Sequence, residues 1–403
     1  MPTATYRATD FTAAARALGV EVVVASEHRQ ALDRLMPDRA VVFPLDDPGA
    51  AADAIATLHE RAPVDAVVGV DDQGVLAAAY ASARLGLRHS PPAAVAATRD
   101  KVTMREAFAT AAIPQPDFRV AGPGDDVGEL ANEIGAPVVV KPVSLSASRG
   151  VIRADSPHEA ARTAERVRRI LATAGEDRDG PLLVERFVPG TEVAVEGLVR
   201  EGTLHVLAVF DKPDPLDGPS FEETLYVTPA RLPSATRTAV EHATRDAVGA
   251  LGLTEGPIHA EFRIGREASA PEVTVLEVAA RTIGGLCSRA LRFGLGVSLE
   301  ELVLSHALGL PIVDFARERG AAGVMMLPIP VAGMLGDVDG IDAARAVPGI
   351  EAVEITVPRG RHIQPLPEGD RYLGFLFARD DTPDAVEHAL RAGHAMLDVH
   401  ITP

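Results

Sequence analysis

Along the first hundred residues the apolar positions fall into short runs separated by stretches with helical periodicity. "VEVVVASE" (20–27), "RAVVFPL" (39–45) and "VDAVVGVDD" (64–72) read as buried strands, with a helical stretch at 49–61 between the last two. Strand alternating with helix predicts a parallel sheet with crossover helices. The opening "MPTATYRATDFTAAARALG" enters a helix near Asp10 with no apolar strand before it. A parallel α/β unit normally begins on a strand, so a native first strand is expected to be missing ahead of this start.

Further on the pattern changes. "DKVTMREAFATAAIPQPDF" (100–118) reads as a helix closed by a Pro-punctuated turn. "APVVVKPV" (136–143) reads as a strand and 157–175 as an amphipathic helix. "PLLVERFV" (181–188), "EVAVEGLVR" (192–200) and "TLHVLAVFDK" (203–212) follow as strands, and 234–252 as a helix. "PIHAEFRI" (257–264) and "EVTVLEVAA" (272–280) are two strands flanking a polar loop, with a helix at about 298–309 beyond them. From about 320, "AGVMMLPIPV", "IEAVEITVP" and "YLGFLFARDD" are strands and 383–397 a helix, predicting a small α+β tail domain. The fold class is α/β followed by α+β.

Composition narrows the function. The 403 residues are enough for two or three domains; 47% are hydrophobic and 24% charged, as in an ordinary globular protein. A net charge of -18 argues against nucleic acid and against an anionic membrane, both of which reward basic patches. No apolar stretch approaches the ~20 residues of a spanning helix, and no signal peptide opens the chain. A single cysteine, Cys287, excludes an internal disulfide framework and a Cys-rich zinc site. The expected location is the cytoplasm.

Two features carry candidate chemistry. If 257–264 and 272–280 form an antiparallel hairpin turning near Ser269, residues whose numbers add to about 538 face one another. Glu261 then opposes Glu277, with His259 and Ala279 on the same face and Arg281 continuing that parity. Opposed carboxylates repel, and a divalent cation between them removes the objection. The plainer alternative places both on a solvated face with Arg281 as a surface partner, and a one-residue slip breaks the pairing. The second feature is "VVVKPVSLSASRGVIRA" (138–154), where Lys141 leads a compact hydroxyl-rich loop ending at Gly150. Such a loop suits phosphate, although the lysine precedes it and no P-loop or G-x-G-x-x-G motif occurs. Other candidates are weaker. Cys287 is a buried apolar residue before it is a nucleophile. His259 either supports the glutamates or is a satisfied sheet histidine. His28, His59, His89 and His158 read as surface residues. Asp71 and Asp72, at a strand end where parallel sheets bind ligands, are pocket residues or a plain turn.

In order along the chain, Lys101 in "RDK", Lys141 in "VVVKP", the loop 144–150, "VERFVPGTEVAVEGL", "HAEFR" and "LEVAARTIGG" resemble the ATP-grasp superfamily. "TYRATDF", "FDKPDPLDGPSFEETLYVTP" and the tail look similar to the bacterial L-amino acid ligases. The resemblance implies a Rossmann-like N-terminal domain (1–95), an ATP-grasp domain (96–315, lid about 120–190) and a C-terminal domain (316–403). It implies ATP and two Mg²⁺ ions, with Mn²⁺ as a substitute, small-molecule carboxylate and amine substrates, and a homodimer. By matching position, Lys101 and Lys141 hold phosphates under a lid of Ser144, Ser146, Ser148, Arg149 and Gly150. Glu185, Arg186, Phe187 and Val188 form the adenine hinge, and Glu192 binds ribose hydroxyls. Glu261 and Glu277 ligate the metal. Arg281 meets the reacting phosphoryl group and, with Lys141, is the catalytic candidate. Glu222, Glu223, Tyr226 and His259 border the substrates. Ala279 stands where the family commonly has Asn, and Gly284 and Gly285 leave room where a bulky pocket residue is expected. The implied reaction joins a carboxylate to an amine through an acyl phosphate. The alternatives are a biotin carboxylase-like or purine-pathway ligase, or a nucleotide-binding module without turnover.

Overall fold

Period-two alternation in the middle of the chain builds the largest sheet. Its eight strands run in the order Val273–Ala279, Gly256–Ile264, Thr191–Arg200, Thr203–Asp211, Leu225–Thr228, Ala321–Leu327, Gly374–Asp380 and Ile350–Ile355, each antiparallel to its neighbours. The computed structural model describes residues 5, 7–28, 40–265, 271–312 and 314–402. In the hairpin, His259 faces Ala279, Ala260 faces Val278 and Glu261 faces Glu277, and a bulge after Glu261 then shifts the register. The expected pairing is therefore present; the turn near Ser269 lies outside the described residues.

The tail divides between the large sheet and a small sheet of its own. Strands Ala321–Leu327, Gly374–Asp380 and Ile350–Ile355 extend the large sheet through the short strand Leu225–Thr228, which the hydrophobic pattern did not announce. Both edges of that short strand must find hydrogen-bond partners, and the tail supplies one. The separate part of the tail is a three-stranded sheet of His362–Ile363, Gly333–Asp339 and Asp398–Thr402. At the N-terminal end Val24–Ser26 pairs in parallel with Ala40–Val42. Residues 64–70, expected within a third strand, join no described ladder.

Residues 118–186 form a lid: the four-stranded sheet Phe118–Ala121, Leu182–Arg186, Val138–Pro142, Ile152–Ala154, covered by helices Val127–Ile134 and Pro157–Thr173. The lid is clasped in two places. Arg153 N–H donates to Pro219 O at 2.8 Å, and Ile152 bridges Ser220. Gly150 N–H donates to Pro367 O at 2.9 Å, while Arg166 grips Glu368 with Nε at 2.6 Å and Nη2 at 2.9 Å. Among the described residues no helix is long and apolar enough to cross a membrane.

Candidate functional site

The large sheet has two unlike faces. On one, Val193, Val195, Val199, Ile258, Ala260 and Phe262 pack under helices Ser234–Leu251 and Lys101–Thr110 through Val240, Ala247, Leu251, Met104 and Phe108. Alternation then forces Glu192, Glu196, His259, Glu261 and Arg263 onto the other face. There all of these but Glu196 border a cavity of about 680 Å³, within the range of small-molecule sites. Lys101, Lys141, Glu185, Arg186, Phe187, Val188, Glu192, Glu223, Tyr226, His259, Glu261, Glu277, Arg281, Gly284 and Gly285 all line it.

Buried charges here are cross-paired. Lys212 Nζ, almost fully buried, lies 2.7 Å from Glu192 Oε1 and 3.2 Å from Glu261 Oε1, and also donates to Glu223 Oε1. One oxygen from each of those carboxylates falls within 4.8 Å of the others. Burial works against the Lys212 charge, but the three carboxylates outweigh it and raise its pKa. Burial, with the charges of Glu261 and Glu192, raises Glu223 to about 7 against the pull of Lys212. Tyr226 Oη donates to Glu223 at 2.8 Å. His259 bridges Glu196 Oε1 (2.6 Å, Nδ1) and Glu261 Oε1 (3.2 Å, Nε2). Burial disfavours its charge, yet those bonds lift it to about 9. Glu192, expected at the ribose, is held by Lys212 and by Arg263 Nε at 2.8 Å.

Lys141 Nζ sits 2.7 Å from Glu185 Oε2, whose other oxygen takes Arg105 Nε at 2.6 Å. Glu185 is thus a scaffold for the lysine, and its side chain is not the part of the hinge that can meet a base. Burial opposes its charge, but Arg105 and Lys141 hold it down to about 2. Desolvation lowers Lys141. Lys101 Nζ donates to Leu145 O at 2.8 Å and lies 3.7 Å from Glu277 Oε2. It thereby ties the lid loop to the glutamate pair. The loop itself is strained: Ala147 and Ser148 take φ 55° and 54°, a left-handed conformation that costs roughly 1–2 kcal/mol per non-glycine residue. Such strain clusters at ligand clamps.

Four predicted residues stand outside the cavity lining: Ser144, Arg149, Gly150 and Glu222. Ser144 turns its hydroxyl to Glu176 Oε2 at 3.2 Å. Gly150 is the clasp to Pro367, and a Cβ there would meet the Pro142 ring at 3.2 Å. Glu222 is half-buried beside the site, its pKa raised by desolvation. Ser146 and Ser148 line the cavity; Arg149 instead bonds Glu368 O at 3.2 Å. His59 and His89, expected at the surface, are half-buried and bonded to nearby backbone.

The two glycines separate. A Cβ on Gly284 meets nothing within 4 Å, whereas on Gly285 (φ 61°) it would come 2.8 Å from the Phe375 ring. Room for a substrate is therefore at Gly284, and Gly285 serves packing and backbone shape. Gly284→Ala is expected to leave stability within about 0.5 kcal/mol. Gly285→Ala should lose about 1–3 kcal/mol from left-handed strain and overpacking. Urea denaturation of the two variants measures the contrast.

Several site residues escaped the sequence reading: Lys212, Arg105, Arg263 and Glu196. Each is a charged residue in an apolar segment, and the unusual feature of "TLHVLAVFDK" was its final lysine. Cys287 is buried, as expected, with its thiol pushed up by desolvation. Asp72, left open as pocket or turn, lines the cavity and pairs with Arg281 Nε at 2.8 Å.

With that geometry in place, the comparisons have a physical footing. Models of an ATP-grasp N-terminal domain, an ATP-grasp domain and an L-amino acid ligase C-terminal domain 2 match residues 12–89, 134–290 and 325–402. The crystal structure of an L-amino acid ligase from Bacillus licheniformis superposes with a TM-score of 0.79 at 26% identity, covering 98% of this chain and 96% of that one. N5-carboxyaminoimidazole ribonucleotide synthetase from Thermotoga maritima superposes at 0.72 with 17% identity, covering 100% of this chain and 98% of that one, a likeness of fold alone. Alanine–anticapsin ligase of Bacillus subtilis (strain 168) is 26% identical over 266 residues, 62% of this chain and 55% of that protein. The chain thus spans about half the length of the curated relatives of that name. It is an ATP-grasp protein, with a C-terminal domain of the L-amino acid ligase type.

Proposed function

We propose that this protein joins the carboxylate of an L-amino acid to an amine or a second amino acid at the expense of ATP. The observation that carries the reading is the Glu261–Glu277 pair, opposed on the cavity face with Lys101, Lys141 and Arg281 around the same space. The residues fit the groups the reaction needs. Hard carboxylate oxygens suit Mg²⁺, which takes one or two carboxylates together with substrate phosphates, and buried cations suit a triphosphate. In this reading Glu261 and Glu277 hold two Mg²⁺ ions, replaceable by Mn²⁺, and the metal neutralises charge on the phosphates.

The chain's own residues do the positioning. Lys141, locked by Glu185 and Arg105, and Lys101, anchored on Leu145 O, present ammonium groups to phosphate without reorganising. Ser146 and Ser148 offer hydroxyls from the lid, and Phe187 and Val188 offer an apolar wall for adenine. Glu192 faces the ribose, as the resemblance implies, while also holding Lys212. Arg281 stabilises the transferring phosphoryl group. A carboxylate oxygen of the first substrate attacks the terminal phosphorus and the bond to the ADP oxygen breaks. The amine nitrogen then attacks the acyl carbon, phosphate leaves, and the nitrogen loses a proton. The closed lid keeps water from the acyl phosphate. Glu222, Glu223, Tyr226, His259 and Gly284 border the amine side.

The same reading divides the chain at about residues 95 and 315 and takes the protein as cytoplasmic and dimeric. Similarity of the tail to the L-amino acid ligase C-terminal domain favours amide formation over the carboxylating and purine-pathway reactions. An ADP-release screen over pairs of amino acids, with mass spectrometry of the products, tests it. Amine-dependent ADP release with a product mass equal to both substrates less water is expected. ATP turnover that ignores the amine throughout would overturn the reading.

A further inference from the structure

Arg7, Asp71 and Asp72 of the N-terminal domain line the cavity, and Asp72 meets Arg281 there. Asp72 follows segment 64–70, and its Oδ1 is ion-paired with Arg281 Nε at 2.8 Å and Arg99 Nη1 at 3.3 Å. Arg281 leaves the end of strand Val273–Ala279, two residues past its last ladder position, where backbone pairing no longer fixes its direction. Its Nη1 is turned to Thr282 O at 3.0 Å. No other carboxylate is ion-paired with it among the described residues.

We propose that Asp72 is a positioning residue for Arg281: it takes the Nε edge of the guanidinium and so directs the rest of the fork into the cavity. This deepens, and rests on, the ligase reading above. A long, rotamer-rich side chain aimed by one charge-assisted bond is pre-organised, and less is lost when it engages a phosphoryl oxygen. The carboxylate is suited to the task. Burial acts against its charge, but Arg281 and Arg99 keep it ionised with a pKa of about 2. Two further contacts fasten the N-terminal domain to the same stretch, with Arg7 donating to Thr282 Oγ1 and Arg289 gripping Asp10 at 2.9 and 3.0 Å. These set the domain in place; among the described residues of that domain, Asp72 is the one ion-paired with the arginine. In consequence the N-terminal domain contributes to the chemical step as well as to substrate enclosure.

The test compares Asp72→Asn, Asp72→Glu and Asp10→Asn in the full chain. Asp72→Asn is expected to lower kcat about 100-fold, the scale of a misplaced catalytic group. Its MgATP dissociation constant by calorimetry should stay within about twofold of wild type, since binding is spread over many other groups. Asp72→Glu, which keeps the charge, should recover about tenfold of that loss, by the same positioning argument. Asp10→Asn should leave kcat nearly unchanged. An Asp72→Asn variant with wild-type turnover, one that loses MgATP binding in parallel with turnover, or an Asp10→Asn variant with the same kcat loss would overturn the assignment. If the wild-type protein releases no ADP with any amine, the ligase reading falls by itself. Crystal structures of Asp72→Asn and wild type then decide the positioning role: a guanidinium swung from the cavity supports it, and an unmoved one refutes it.

Discussion

Replacing Lys212 by methionine should destabilise the protein by about 3–5 kcal/mol, the range for removing one partner from a buried ionic cluster. The lysine is the shared counter-charge of Glu192, Glu223 and Glu261. Methionine keeps most of the volume, so the loss is electrostatic and not a cavity. Two partners remain elsewhere, Arg263 on Glu192 and His259 on Glu261, but Glu223 keeps only the Tyr226 hydroxyl. Its carboxyl would meet the deficit by taking up a proton. A second readout follows from geometry. With the ammonium gone, the three carboxylates whose oxygens lie within 4.8 Å of one another make a hard-cation site. Mn²⁺ should therefore raise the unfolding midpoint of Lys212→Met more than that of wild type. Equal midpoints for variant and wild type, with no extra metal response, would mean that the lysine does not carry this charge balance.

The parts of the site that were legible in the sequence share a property: each is fixed by a local periodicity. Alternation through "HAEFR" and "LEVAAR" places Glu261 opposite Glu277, because the hairpin register leaves no other choice once the turn is set, whereas Arg281 lies beyond the last paired position. The placing of Lys101, Lys141 and residues 185–188 at one cavity was suggested only by resemblance, since a lysine at a helix start or in a strand has no unique meaning. Lys212 and Arg105 show the limit. Lys212 ends a strand, and what makes it central is that Glu192, Glu223 and Glu261, from three separate segments, converge on its ammonium. Arg105 lies on a helix face that packs against the sheet, where its charge matters only because Glu185 arrives from the lid. The hydrophobic pattern cannot express such meetings, as they depend on how whole elements dock. The tail's strands were legible, and their joining to the large sheet was not, for the same reason. "YLGFLFARDD" looks like a strand of any sheet, and nothing in it says that its sheet begins in residues 191–279. The lid clasp at Pro367 and Glu368 is equally invisible, being a contact of one loop with another loop and with a helix.

Glu277→Gln and Glu261→Gln should be equally poor in turnover and unequal in stability, and that inequality separates metal binding from scaffolding. Both variants exchange a hard anionic oxygen for a weaker neutral one where charge develops, a loss expected at about 10²–10³ in kcat. Glu261 also receives Lys212 and His259. Buried hydrogen bonds to charged groups are worth roughly 1.5–3 kcal/mol each, so Glu261→Gln should lower the unfolding free energy by about 2 kcal/mol in EDTA. Glu277 is about a third exposed, and its one ion pair among the described residues is Lys101 at 3.7 Å, a contact worth roughly 0–1 kcal/mol. Its glutamine variant should match wild type in EDTA, and could gain slightly because the opposed carboxylates no longer repel. Adding Mg²⁺ with ADP should raise the midpoint of wild type and of neither variant. Undiminished Mg²⁺-dependent turnover in Glu277→Gln would remove the metal from this pair. The Glu261–Glu277 register would then be a property of the sheet alone.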